Sequence, residues 1–216
     1  MDKRKWSFAI KFITTLTAWA ALALQLYILI DNTPANGMTP LQAVGRFFIF
    51  FTVLSNLLVA ISLTIVLISY RSAAGKFFAK PSVAGAITFY IVIVGLVYNV
   101  ILRDLWHPTG WQQVADELLH VVVPLLQTIY WLIFVPKGKL RWGHPIYWLI
   151  FPGLYLCYAL IRGAIESFYP YPFINVTELG YGRVLGNCVG LLIIFIIIGF
   201  LFVAIDRMID RQTKLR

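Results

Sequence analysis

The chain has 216 residues, 60% of them hydrophobic and only 12% charged, with a formal net charge of +9. Its mean hydropathy is +0.82. A soluble domain is about half apolar and a quarter charged, so this composition excludes an ordinary soluble fold and reads as an all-α polytopic membrane protein. A basic balance of this size suggests nucleic-acid binding in a soluble protein. Here the basic residues fall in short segments between apolar spans, so they read as membrane topology, with no nucleic-acid partner expected.

A helix needs about 20 apolar residues to cross the hydrocarbon core. Six stretches qualify, at approximately 8–30, 47–70, 83–103, 117–135, 145–166 and 184–206. They predict one six-helix transmembrane domain over 1–216. The first comes after the basic segment Met1 to Lys5, as a signal peptide would. It exceeds the usual signal core of roughly 7–15 residues and shows no small-x-small cleavage site, so it reads as a retained helix. Turn formers and charges fill the connections: Asn32 to Pro40, Arg71 to Pro81, His107 to Asp116, Pro136 to Pro145 and Tyr169 to Gly182.

Charge asymmetry orients the spans. Lys3, Arg4, Lys5, Arg71, Lys76, Lys80, Lys137, Lys139, Arg141, Arg207, Arg211, Lys214 and Arg216 lie on one side, thirteen in all. The other side has Arg46, Arg103, Arg162 and Arg183, and carries Asp31, Asp104, Asp116, Glu117, Glu166 and Glu178. The positive-inside rule then places both termini in the cytoplasm. Trp6, Trp106, Trp111, Trp142 and Trp148 fall near span ends, as an interfacial aromatic belt does.

With that orientation, polar residues gather in the outer halves of the spans. Thr52 lies about 8 Å into span two and His120 about 5 Å into span four, at 1.5 Å per residue. Contact between them requires that spans two and four come together. Ser55 and Asn56 come just after Thr52. Asn99 and Arg103 end span three, and Asp116 and Gln127 flank His120. Arg162 and Glu166 form an i,i+4 pair ending span five, and Arg183 and Asn187 open span six. An ionisable side chain at membrane depth is costly and marks a site unless it merely packs. The bland readings stand beside this one. Threonine in a membrane helix usually bonds back to its own carbonyl. Asparagine and glutamine often tie helices together, and terminal arginines snorkel. His107 and His144 read as ordinary loop residues. Cys157 and Cys188 form neither a disulfide framework nor a metal-ligand spacing.

No G-x-S-x-G, H-E-x-x-H, C-x-x-C or phosphate-binding glycine loop occurs. No His, Cys and acid cluster has metal-ligand spacing, and no cofactor is expected. Asn175-Val176-Thr177 fits a glycosylation sequon, a match that often arises by chance.

The segment Phe51-Thr52-Val53-Leu54-Ser55-Asn56-Leu57, with Asp116-Glu117-Leu118-Leu119-His120 and Pro124, resembles the androgen-induced-gene family, which includes the androgen-dependent TFPI-regulating protein. The resemblance covers most of the chain, and the compact loops are most like those of bacterial members. It implies an intramembrane threonine hydrolase that cleaves lipid esters such as fatty acid esters of hydroxy fatty acids. Thr52 would be the nucleophile and His120 the general base, in a bacterial cytoplasmic membrane with the site toward the outer leaflet. The remaining roles come from residue chemistry: Asn56, Asn99 or Asn187 as oxyanion donors, Ser55 and Gln127 as pocket polar groups, and Asp116 as orienter of the histidine. Arg103 or Arg162 would hold a substrate carboxylate, while the Arg162–Glu166 pair and Arg183 have structural readings too. The rival is a non-enzymatic protein that binds or transports a lipid or amphiphile in the same polar layer. The absence of a repeat weighs against a transporter. A third reading is an assembly partner, but Gly85 and Gly95 alone do not make a dimer face.

Overall fold

The computed structural model describes residues 2–34 and 37–214; Arg216, one of the thirteen basic residues that the charge asymmetry of the sequence assigns to the inner side, lies outside them. Among the described residues every regular element is helical, and six helices are long and apolar enough to cross a membrane. The chain divides into two compact units, Met1–Pro136 and Lys137–Arg216.

The first unit holds α1 (Lys3–Asp31), α2 (Pro40–Phe47), α3 (Phe51–Ile68), α4 (Ala73–Phe78), α5 (Pro81–Val97), α6 (Gly110–Glu117) and α7 (Val123–Phe134). The α1 helix packs on α3, α3 on α5, α5 on α7, and α7 back on α1, closing a ring of four long helices. In that ring α3 and α7 stand on opposite corners. Phe89, Ile91, Ile93, Val59, Val123 and Trp131 fill the middle almost without exposure. Leu16, Leu96 and Leu125 remain exposed, as a lipid-facing surface requires.

Two π-turns interrupt this unit. One, Tyr98–Leu102, extends α5; its backbone is closed by the Arg103 amide donating to the Tyr98 carbonyl at 2.8 Å. The other, Leu118–Val122, joins α6 to α7 and is closed by the Val123 amide donating to the Leu118 carbonyl. Pro124 accounts for the second: it has no N–H for the carbonyl four residues back, and its ring crowds that carbonyl. That carbonyl belongs to His120. Gly95 on α5 lets it approach, since a Cβ there would lie 3.2 Å from the His120 oxygen and 3.3 Å from Pro124 Cβ.

Three boundaries differ from the sequence expectation. The second span is not continuous from residue 47, because α2 ends at Phe47 and α3 starts at Phe51 after an extended Phe50. Thr52 therefore lies in the first turn of α3. The fourth span begins at Gly110. Its polar first turns fold as helix because their side chains find partners inside, Gln112 Nε2 donating to Gln25 Oε1 on α1 at 2.9 Å. His120 thus sits about 15 Å along this helix instead of near its end. The sixth span starts earlier and ends later than 184–206, in α10 below.

The second unit holds α8 (His144–Trp148), α9 (Ile150–Glu166), a 3₁₀ turn (Pro172–Ile174) and α10 (Val176–Lys214), with a kink where Gly180 takes φ 73°. α10 packs on α8, where a Cβ at Gly199 would lie 2.8 Å from Pro145 Cβ. Buried Asp206 accepts the Leu140 amide at 3.0 Å, pinning the segment before α8. Burial pushes the Lys137 ammonium down to about 8, against the opposing pull of Asp206.

Candidate active site

Thr52 and His120 meet. They do so across the diagonal of the four-helix ring, where the π-turn Leu118–Val122 reaches α3. A π-turn widens the helix by a residue and bulges it sideways, and such turns are frequent at functional sites.

The contact has a direction. His120 Nδ1 lies 2.9 Å from the Asp116 backbone oxygen and 3.2 Å from Asp116 Oδ1. A carbonyl oxygen only accepts, so Nδ1 carries the proton. Nε2 is then the lone-pair nitrogen, and the Thr52 hydroxyl donates to it over 3.2 Å. Thr52, His120 and Asp116 form one connected chain, with Thr52 7% and Asp116 5% exposed and the His120 side chain at 14%. Thr52 also sits at the positive end of the α3 dipole, which favours negative charge developing on its oxygen. No side chain caps that end.

Tyr98 completes the arrangement, although its residue type does not mark it in the sequence. Its hydroxyl donates to Asp116 Oδ2. Its ring stacks on the His120 imidazole, with centroids 4.1 Å apart and planes 17° from parallel. The Asp116 carboxylate therefore has a neighbour on each side, the imidazole near Oδ1 and the phenol on Oδ2. The Arg103 guanidinium lies 5.4 Å from the Tyr98 ring centroid and pairs with half-exposed Glu117. A tyrosine in an apolar span looks like a packing aromatic. Its spacing of five before Arg103 is the one signal it carries, and that spacing is a neighbour relation only through a π-turn.

The other expected pocket groups are distributed over several helices. Asn56 Nδ2 donates to the Thr52 carbonyl at 2.8 Å and the Leu119 carbonyl at 3.2 Å. Both its protons are used, so it clamps α3 to the π-turn instead of standing as an oxyanion donor. Ser55 and Asn56 are fully buried; Ser55 Oγ and Asn56 Oδ1 have no hydrogen-bond partner. Gln127 Nε2 donates to Thr88 Oγ1 at 3.0 Å, tying α7 to α5. Asn99 is exposed and bonds back to the Gly95 carbonyl at 2.8 Å. Arg103 is committed to Glu117 and Tyr98.

Four candidates belong to the second unit. Arg162 binds both oxygens of Glu166, at 2.5 and 2.7 Å, and donates to Tyr158 Oη at 2.9 Å. Asn187 donates to the Phe173 carbonyl at 2.8 Å, and Arg183 is exposed. Arg162, Glu166 and Asn187 thus each have a partner inside their own unit. No family model, no curated protein and no solved structure matches this chain.

Proposed function

We propose that the protein is an intramembrane hydrolase that cleaves lipid esters through an acyl-threonine. The observation that carries this reading is the connected chain from Thr52 Oγ1 through His120 Nε2 and Nδ1 to Asp116. A base within reach of a hydroxyl, oriented in turn by a third group, is the arrangement that nucleophilic catalysis needs.

In the first half-reaction Thr52 Oγ attacks the ester carbonyl while its proton passes to His120 Nε2. The tetrahedral intermediate collapses, the C–O bond to the alcohol breaks, and His120 gives that proton to the departing oxygen. In the second half-reaction water attacks the acyl-threonine as His120 takes one of its protons. The free acid leaves, and the proton returns to Thr52. Asp116 keeps the imidazole in the required tautomer and stabilises its cationic form. The dipole at the start of α3 supports the negative charge on the attacked carbonyl. Apolar side chains of the ring and the bilayer accommodate the acyl chains. The basic bias of the connections supports an arrangement with both termini in the cytoplasm and the site toward the outer leaflet of a bacterial cytoplasmic membrane. Esters of hydroxy fatty acids are the substrate class that the family resemblance supports.

The test uses the purified protein in detergent and a fluorophosphonate probe, with wild type, Thr52→Ala and His120→Ala compared. Labelling of wild type that falls on the order of 10⁴-fold in both variants, with unchanged melting curves, is the expected result. A wild type that stays unlabelled beside a labelled control hydrolase overturns the hydrolase reading in favour of lipid binding or transport.

A further inference from the structure

Helices leave a buried hydroxyl one easy partner, the carbonyl one turn back. Thr14 donates to the Ile10 carbonyl at 2.7 Å, Ser62 to Val59 at 3.1 Å and Thr88 to Ala84 at 2.8 Å. Thr52 is engaged with His120. Among the described buried serines and threonines, Ser55 stands apart: it is fully buried and its Oγ has no partner. The next residue carries a second orphan, Asn56 Oδ1. Its orientation is not open to reversal, because the amide nitrogen faces two carbonyl oxygens, which only accept. The orphan atom is therefore an acceptor that needs a donor.

Burying a polar atom without a partner is costly, because it gives up its hydrogen bonds to water and gains none. Here two adjacent residues carry that cost, at positions three and four after the nucleophile. Those positions lie on the same helix face as Thr52, with Cβ atoms about 5–6 Å apart. Buried water makes 2–4 hydrogen bonds to such groups, and the hydroxyl and the amide oxygen together supply an acceptor pair plus one donor.

We infer that Ser55 Oγ and Asn56 Oδ1 hold the water that releases the acyl group from Thr52. This rests on the hydrolase reading above and adds the binding site of its second substrate. A water held there donates one proton to Asn56 Oδ1 and keeps the other for His120 Nε2. Its oxygen forms the new bond to the acyl carbon, the bond from that carbon to Thr52 Oγ breaks, and Thr52 recovers the proton from His120. The site works on deacylation alone, since acylation consumes no water. An apolar bundle that must take lipid from one phase and water from another thereby separates their places: lipid at Thr52 Oγ, and water one turn further along α3.

The test is pre-steady-state release of nitrophenolate from p-nitrophenyl octanoate by the detergent-solubilised full chain. Wild type, Ser55→Ala and Thr52→Ala are compared, with intact-mass analysis of the quenched protein. Ser55→Ala should release its first equivalent at close to the wild-type rate, then turn over about 10-fold more slowly, with acylated chain accumulating. Turnover and acyl accumulation equal to wild type, with a raised melting temperature from removal of an orphan hydroxyl, overturn the inference and leave the hydrolase reading intact. An equal fall in both phases also overturns it, because a structural defect slows acylation too. If wild type releases no more nitrophenolate than Thr52→Ala, the hydrolase reading fails and the water site fails with it.

Discussion

The two units place their polar groups differently. In the second, polar side chains act in separate pairs: Arg162 holds the carboxylate one turn away, Asn187 on α10 holds the Phe173 carbonyl of the 3₁₀ turn, and buried Asp206 on α10 accepts the Leu140 amide. In the first, they join into one network. Thr52 on α3 meets His120 on the π-turn, Tyr98 at the end of α5 meets Asp116 on α6, and Asn56 on α3 holds the Leu119 carbonyl. That network ties four segments together at one point, whereas separate pairs each join only two. Coupling between residues in one network should exceed coupling between separate pairs.

The contrast can be broken by substitution. After Thr52→Ala and His120→Ala, the largest effect is expected for Asp116→Asn. In serine proteases loss of the orienting carboxylate costs about 10⁴-fold, because the imidazole takes the wrong tautomer. Here the Asp116 backbone carbonyl also holds Nδ1, so the tautomer survives and the loss in kcat should be smaller, about 10²-fold. A loss as large as that of His120→Ala would show that the backbone contact does not fix the ring. Tyr98→Phe should come next. It removes the hydroxyl that holds Asp116 Oδ2 but keeps the ring on His120, and should lower kcat about 10-fold at unchanged KM. Tyr98→Leu removes the stacking too and should lower kcat further. Equal effects of the two on KM and kcat would make Tyr98 a packing residue only. The smallest effect on chemistry is expected for Asp206→Ala. Leaving the buried Leu140 amide unpaired should cost about 1–3 kcal/mol in a denaturation curve, while Thr52 labelling by fluorophosphonate stays at the wild-type rate. A fall in labelling of the folded variant would erase the distinction between the units.

The legibility of the fold and the site in the chain depends on what each residue type signals. Six apolar stretches separated by charged segments are enough for the helices, because the bilayer leaves the backbone no other way to satisfy its hydrogen bonds within one segment. Thr52, His120 and Asp116 stand out because polar groups are rare in such stretches. Tyr98 does not, since its ring belongs in an apolar span and its hydroxyl is hidden within a common residue type. The break at Phe48–Phe50 carries no glycine or proline to announce it. The helical start at Gly110 is masked by polarity that tertiary contacts with α1 satisfy. Asn56 is legible as a polar group near Thr52, but its task differs from the expected oxyanion donation, because sequence does not say where both amide protons go.

Pro124 has a further consequence. An α-helix turns about 100° per residue, so the additional residue in the turn before the proline sets a fixed angular offset between the helix upstream of it and the helix downstream. Asp116 and His120 belong to the upstream phase and face Tyr98 and Thr52; Gln127 and Trp131 belong to the downstream phase and are buried in the core. One imino acid thus works as an indexing pin. It lets a single strip of helix present its polar contacts in one direction and its packing in another, and it makes the alignment of Thr52 and His120 depend on a residue that is itself apolar.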